Sequence, residues 1–129
     1  MLERVAAVVT TGEPPRMAEM AVECATAARA GASVRVFFRD ESIPLICAPA
    51  AARRLLWGAV GDRPLPYGRK LHSALQELAA SGDVRLYGCS SSLYVWGVSA
   101  QDLLPGITGR GLIAFLADDL AGATRVLCY

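Results

Sequence analysis

Four short apolar runs constrain this chain more than any other feature. They are Arg4-Val5-Ala6-Ala7-Val8-Val9-Thr10, Ser33-Val34-Arg35-Val36-Phe37-Phe38, Asp83-Val84-Arg85-Leu86-Tyr87 and Ala123-Thr124-Arg125-Val126-Leu127-Cys128. The first is continuously apolar, which marks a strand covered on both faces. Between the first two, Met17, Met20, Ala21, Cys24 and Ala28 recur at helical spacing from Arg16 to about Ala30. Pro14 and Pro15 suit the first turn of that helix, where a missing N–H costs little, and Gly31 stops it. Strand, helix, strand with short turns is a parallel, right-handed βαβ unit.

The same alternation continues to the C-terminus. Asp40 to Trp57 reads as helix in two pieces, the first capped by Ser42 and the second opened by Pro49. Gly58–Gly68 is rich in Gly and Pro and reads as a mobile loop placed to gate the site described below. Lys70 to Ala80 is helical with Leu71, Ala74, Leu75 and Leu78 on one face. Ser90 to Trp96 makes about two helical turns, stopped by Gly97. Asp102-Leu103-Leu104 reads as a short helical piece, and Pro105-Gly106-Ile107-Thr108 holds a very short fourth strand. Gly111 to Leu120 is helical with Leu112, Phe115 and Leu116 inward. The fold class is therefore α/β. A single domain over residues 1–129 forms a three-layer α/β/α sandwich, flavodoxin-like, with roughly five mostly parallel strands.

Thirteen Lys and Arg balance twelve Asp and Glu, a net charge of +1, so nothing favours nucleic acid or an anionic membrane as partner. Hydrophobic residues make up 53% and mean hydropathy is +0.35, high for so small a domain. The best membrane-spanning candidate, Ile43 to Val60, is broken by Pro44, Pro49 and Arg53-Arg54. The N-terminal apolar run is too short for a signal peptide. A cytoplasmic chain that buries spare apolar surface in an oligomer is the expectation.

Of the four cysteines, Cys24, Cys47, Cys89 and Cys128, none forms a C-x-x-C pair, and the single His72 lies near none of them in sequence. This argues against a structural zinc site and a thioredoxin-type cycle. A reducing cytosol argues against disulfides. Cys89 stands apart because it follows the third strand directly. Chemistry in open parallel sheets gathers beyond the carboxyl ends of the strands. Cys89 also begins a helix, where free N–H groups and the helix dipole favour an anion and lower a thiol pKa. Ser90, Ser91 and Ser92 suit a first turn, and Gly88 leaves room for a partner to approach. Tyr87, Tyr94 and Trp96 read as packing residues. Cys24 and Cys128 are expected to be shielded, with Cys47 the one competitor on the same rim.

Other enzymes fail on spacing. A Cys-x5-Arg phosphatase loop needs Arg where Val95 stands, and a G-x-S-x-G elbow needs Gly where Ser92 stands. The order of elements resembles the DsrE/DsrF-like family. So do the opening VAAVVTTGEPPRMAEMAVECATAARAGASVRVFF, the stretch DVRLYGCSSSLYVWGV and the ending LLPGITGRGLIAFLADDLAGATRVLCY. The resemblance implies a sulfur-relay protein, a sulfurtransferase in the broad sense. Cys89 would carry a persulfide taken from a donor protein and passed to an acceptor. It also implies trimers or hexamers. Ser90 and Ser91 would help to hold the anionic sulfur, with no cofactor and no metal. Two rivals stand beside it. One is a small-ligand or nucleotide/FMN-binding flavodoxin-like module using Thr10-Thr11-Gly12-Glu13, disfavoured because Pro14 and Pro15 remove N–H donors where phosphate would sit. The other is a non-catalytic scaffold subunit; such subunits of the family lack the cysteine.

Overall fold

The computed structural model describes residues 2–58, 65 and 67–129. Five parallel strands form one sheet in the order β4-β3-β2-β1-β5, with β1 Arg4–Val9, β2 Ser33–Phe38, β3 Val84–Cys89, β4 Ile107–Arg110 and β5 Arg125–Cys128. Helix α1 spans Pro14–Arg29, α2 Pro49–Trp57, α3 Gly68–Ala79, α4 Ser90–Trp96 and α5 Leu112–Phe115. A 3-10 segment, Asp40–Ile46, follows β2, and a π turn, Leu116–Leu120, continues α5. Among the described residues no helix is long and apolar enough to cross a membrane.

The strand order decides which face each helix covers. From β1 to β4 the chain steps across the sheet in one direction. Right-handed crossovers therefore put α1, the 3-10 segment with α2 and α3, and α4 on one face. The step from β4 back to β5 runs the other way and puts α5 on the opposite face. The core follows this division. Val5, Ala7, Val9, Val34, Val36, Phe38 and Leu86 pack with Met17, Met20, Cys24, Leu71, Leu75 and Leu78 on the first face. Ala6, Phe37, Cys89 and Phe115 form a smaller cluster on the second.

Two expectations change at the second face. Leu116 is exposed rather than inward, because the helix widens to a π turn at that residue and rotates it off the sheet. Cys128 is exposed rather than shielded. It pairs with Val8 on edge strand β5, and its side chain faces the second side of the sheet, whose helical cover is only α5 and its π turn. Most of the Gly58–Gly68 segment, expected to be a mobile gate, lies outside the described residues.

Candidate functional site

Loops leave the carboxyl ends of β3 and β4 toward opposite faces, so the topological reversal falls between these two strands. In open α/β sheets that crevice is where ligands bind. Cys89 stands there, paired in register with Arg110 of β4. In the flavodoxin strand order the reversal lies at β1 instead, so this sheet does not favour the β1 loop as a phosphate site.

Cys89 ends β3 and caps α4, with extended backbone (φ −60°, ψ 120°) and no side-chain capping bond. Its side chain points to the second face, packed with Phe37 and with Phe115, whose rings stack at 4.5 Å. It is 1% exposed, so the open thiol expected on the rim is instead nearly covered. Cys89 nonetheless lines a cleft of about 480 Å³ together with Arg39, Asp40, Glu41, Ser91, Ser92, Val95, Trp96 and Leu112. Ser91 thus shares the cleft with Cys89. Ser90 does not line it and lies near Gly109 of β4.

The cleft is tied together across elements. Asp40 holds a left-handed backbone (φ 55°), which costs a non-glycine residue about 1–2 kcal/mol. Two bonds from α4 secure it: its N–H donates to Ser92 Oγ at 3.1 Å, and its carbonyl accepts from Trp96 Nε1 at 2.8 Å. Buried Ser42 does not cap a helix as expected. Its hydroxyl bonds the carbonyls of Val9 (3.1 Å) and Arg39 (2.8 Å), tying the ends of β1 and β2. Backbone strain of this kind persists where surrounding contacts hold it and clusters at active sites and ligand clamps.

Several sequence readings of single residues are corrected. Gly88 does not open the rim to a partner. A Cβ there would meet Leu93 Cδ1 at 3.3 Å and Ile46 Cδ1 at 3.4 Å, so its small size seats α4 on the first face. Tyr94 is 86% exposed and Val95 81%, so Tyr94 does not pack in the core. Cys47, the expected competitor, does not line the Cys89 cleft. It is fully buried, its S–H donates to the Ile43 carbonyl at 3.2 Å, and burial pushes its pKa up to about 12. Cys24 is buried as expected, and burial pushes it to about 12 as well. Arg39 was not singled out by the sequence reading. Its one signal is its place directly after β2, on the carboxyl rim.

Among the described residues no group of three or more His, Cys, Asp or Glu side chains is placed to hold a metal ion. The YchN protein from E. coli is similar in structure, with a TM-score of 0.69, 19% identity, and 99% of this chain and 100% of that chain covered. MTH1491 from Methanobacterium thermoautotrophicum, a protein of unknown function, has a TM-score of 0.67 at 18% identity and covers 98% of this chain and 99% of that one. These likenesses concern the fold. No curated protein matches significantly. The DsrE/DsrF-like family model matches residues 3–127, so the chain belongs to the DsrE/DsrF-like family.

Proposed function

We propose that this chain is a sulfur carrier that accepts sulfane sulfur as a persulfide on Cys89 and passes it to an acceptor thiol. The observation that carries this reading is the place of Cys89: a cysteine at the topological reversal, facing a cleft, in a chain of a family associated with sulfur relay. The chemistry is exchange. The Cys89 thiolate attacks the outer sulfur of a donor R–S–SH, the Cys89–S bond forms, the donor S–S bond breaks, and the donor leaves as R–S⁻. The acceptor thiolate then attacks the outer sulfur in the same way and releases the Cys89 thiolate. No external oxidant or reductant enters.

Cys89 lies almost covered, so donor and acceptor reach it through the cleft. Exposed Val95 lines the cleft, and its neighbour Tyr94 on α4 and Ile113 on α5 (82% exposed) are exposed apolar side chains as well, a surface suited to a protein partner. The working assignment is a cytoplasmic homo-oligomer of three or six subunits that trades sulfur with donor and acceptor proteins. Ser91 takes part in holding the anionic sulfur, and Ser90, which does not line the cleft, takes no part in it. The test is peptide mass spectrometry after incubation with thiosulfate or polysulfide. The added sulfur should map to the peptide holding Cys89 and vanish in Cys89→Ser. Equal sulfur load in that variant would overturn the assignment.

A further inference from the structure

We infer that Arg39 is the anion-binding residue of the Cys89 cleft, the group that receives the negatively charged end of whatever sulfur species occupies it. The inference deepens the sulfur-carrier reading by naming the residue and the charge class it selects. Arg39 follows β2 and, among the described residues, is the one Lys or Arg lining the cleft; Asp40 and Glu41 are the carboxylates there. Its Nε is shut off from solvent and has no hydrogen-bond partner among the described residues. The Asp40 carboxylate stands 3.7 Å away, an ion-pair distance beyond hydrogen-bond reach. The side chain is 35% exposed, so its outer part remains open to the cleft. An anion in the cleft therefore meets the open outer nitrogens of the guanidinium rather than Nε, where a charge-assisted bond can form.

The backbone around Arg39 is fixed in a way that a merely solvated arginine does not require. Its N–H bonds the Val9 carbonyl at 2.9 Å, and its own carbonyl accepts from the Ser42 hydroxyl. The next residue is the strained Asp40, secured to α4 by Ser92 and Trp96. Asp40, the neighbour of Arg39, is therefore bonded to the helix that Cys89 caps. Asp40 and Glu41 together outweigh the one cation, so an anion is favoured only in direct contact with the Arg39 guanidinium and a diffuse polyanion is disfavoured. A persulfide anion on Cys89 carries a single negative charge, and a charge-assisted bond to guanidinium stabilises it.

Two measurements separate this inference from the sulfur-carrier reading. Both use Cys128→Ser protein, so that the exposed thiol does not report. The first is protection of Cys89 from iodoacetamide by thiocyanate, an inert anion that carries charge on sulfur. Protection is expected in the parent and in Arg39→Lys. The half-protecting concentration should rise about tenfold in Arg39→Gln, the size expected for losing one charge-assisted bond. Equal protection in Arg39→Gln overturns the inference. So does absence of protection, or absence of labelling at Cys89, in the parent. The second is sulfur loading from polysulfide. If the parent takes up no sulfur at Cys89, the carrier reading fails, while the thiocyanate series still decides the role of Arg39. If the parent loads, sulfur held on Cys89 should be lost to a dilute thiol about tenfold faster in Arg39→Gln than in Arg39→Lys; equal rates overturn the inference.

Discussion

Phe115→Ala should loosen the cover of Cys89 and nothing else of comparable size. Phe115 is fully buried and stacks on Phe37 with centroids 4.5 Å apart and planes 15° from parallel. Removing a buried phenylalanine costs about 3–5 kcal/mol in lost transfer energy and cavity. The low end applies here. Among the described residues the second-face cluster has four fully buried members, and α5 is a four-residue helix running into a π turn, so the site can partly collapse. A loss of about 3 kcal/mol is expected, read in urea at fixed protein concentration as a lower midpoint with unchanged slope. Local opening must be told from global unfolding. Cys24 lies buried in α1 on the other face and serves as the internal control. Iodoacetamide labelling of Cys89 should quicken much more than labelling of Cys24. A stability loss below about 1 kcal/mol, with Cys89 labelled at the parent rate, would refute the view of α5 as the cover over the thiol.

Three further outcomes are expected. In the native parent, limiting iodoacetamide should label Cys128 first and leave Cys24 and Cys47 untouched, since both are buried with pKa values near 12; early labelling of Cys47 contradicts this. Asp40→Gly should stabilise the chain by about 0.5 kcal/mol, the relief of left-handed strain exceeding the entropy cost of glycine, and a lower thermal midpoint would count against the strain argument. The Asp102 carboxylate accepts from the Ser99 N–H at 3.0 Å and its hydroxyl at 3.1 Å and meets Arg54 at 3.4 Å; the Ser99 backbone bond most of all holds its pKa below the usual range. Its stabilising contribution is therefore complete above the unfolded carboxylate value of about 4 and is lost as pH falls through the lower folded value, so Asp102→Asn should shrink the drop in thermal midpoint on acidification, and an unchanged acid limb would contradict it.

How much was legible in the sequence depended on whether the deciding contact was local. The periodicity of Met17, Met20, Cys24, Leu71, Leu75 and Leu78 identified inward faces because those residues answer to one sheet face. The position of Cys89 followed from strand three alone. Residues governed by long-range partners were read less well. Leu116 needed the π turn, which no spacing rule signals. Cys128 needed the strand order, because only the step from β4 to β5 leaves that edge bare on the second face. The glycine before Cys89 was assigned to partner access, whereas its space is taken by Leu93 and Ile46, residues distant or helical in sequence. Arg39 and Asp40 were missed because their meaning arises from Ser92 and Trp96, more than fifty residues away.

Transfer itself tests the central claim most directly. Cys128→Ser protein loaded from isotopically heavy polysulfide and freed of donor should carry one heavy sulfur on the Cys89 peptide. On addition of an acceptor thiol, that sulfur should appear on the acceptor as the Cys89 peptide loses it, in equal amount and in a single exponential phase. Retention of the heavy sulfur on Cys89, or its appearance on the acceptor at the same rate from protein carrying both Cys89→Ser and Cys128→Ser, would contradict the account.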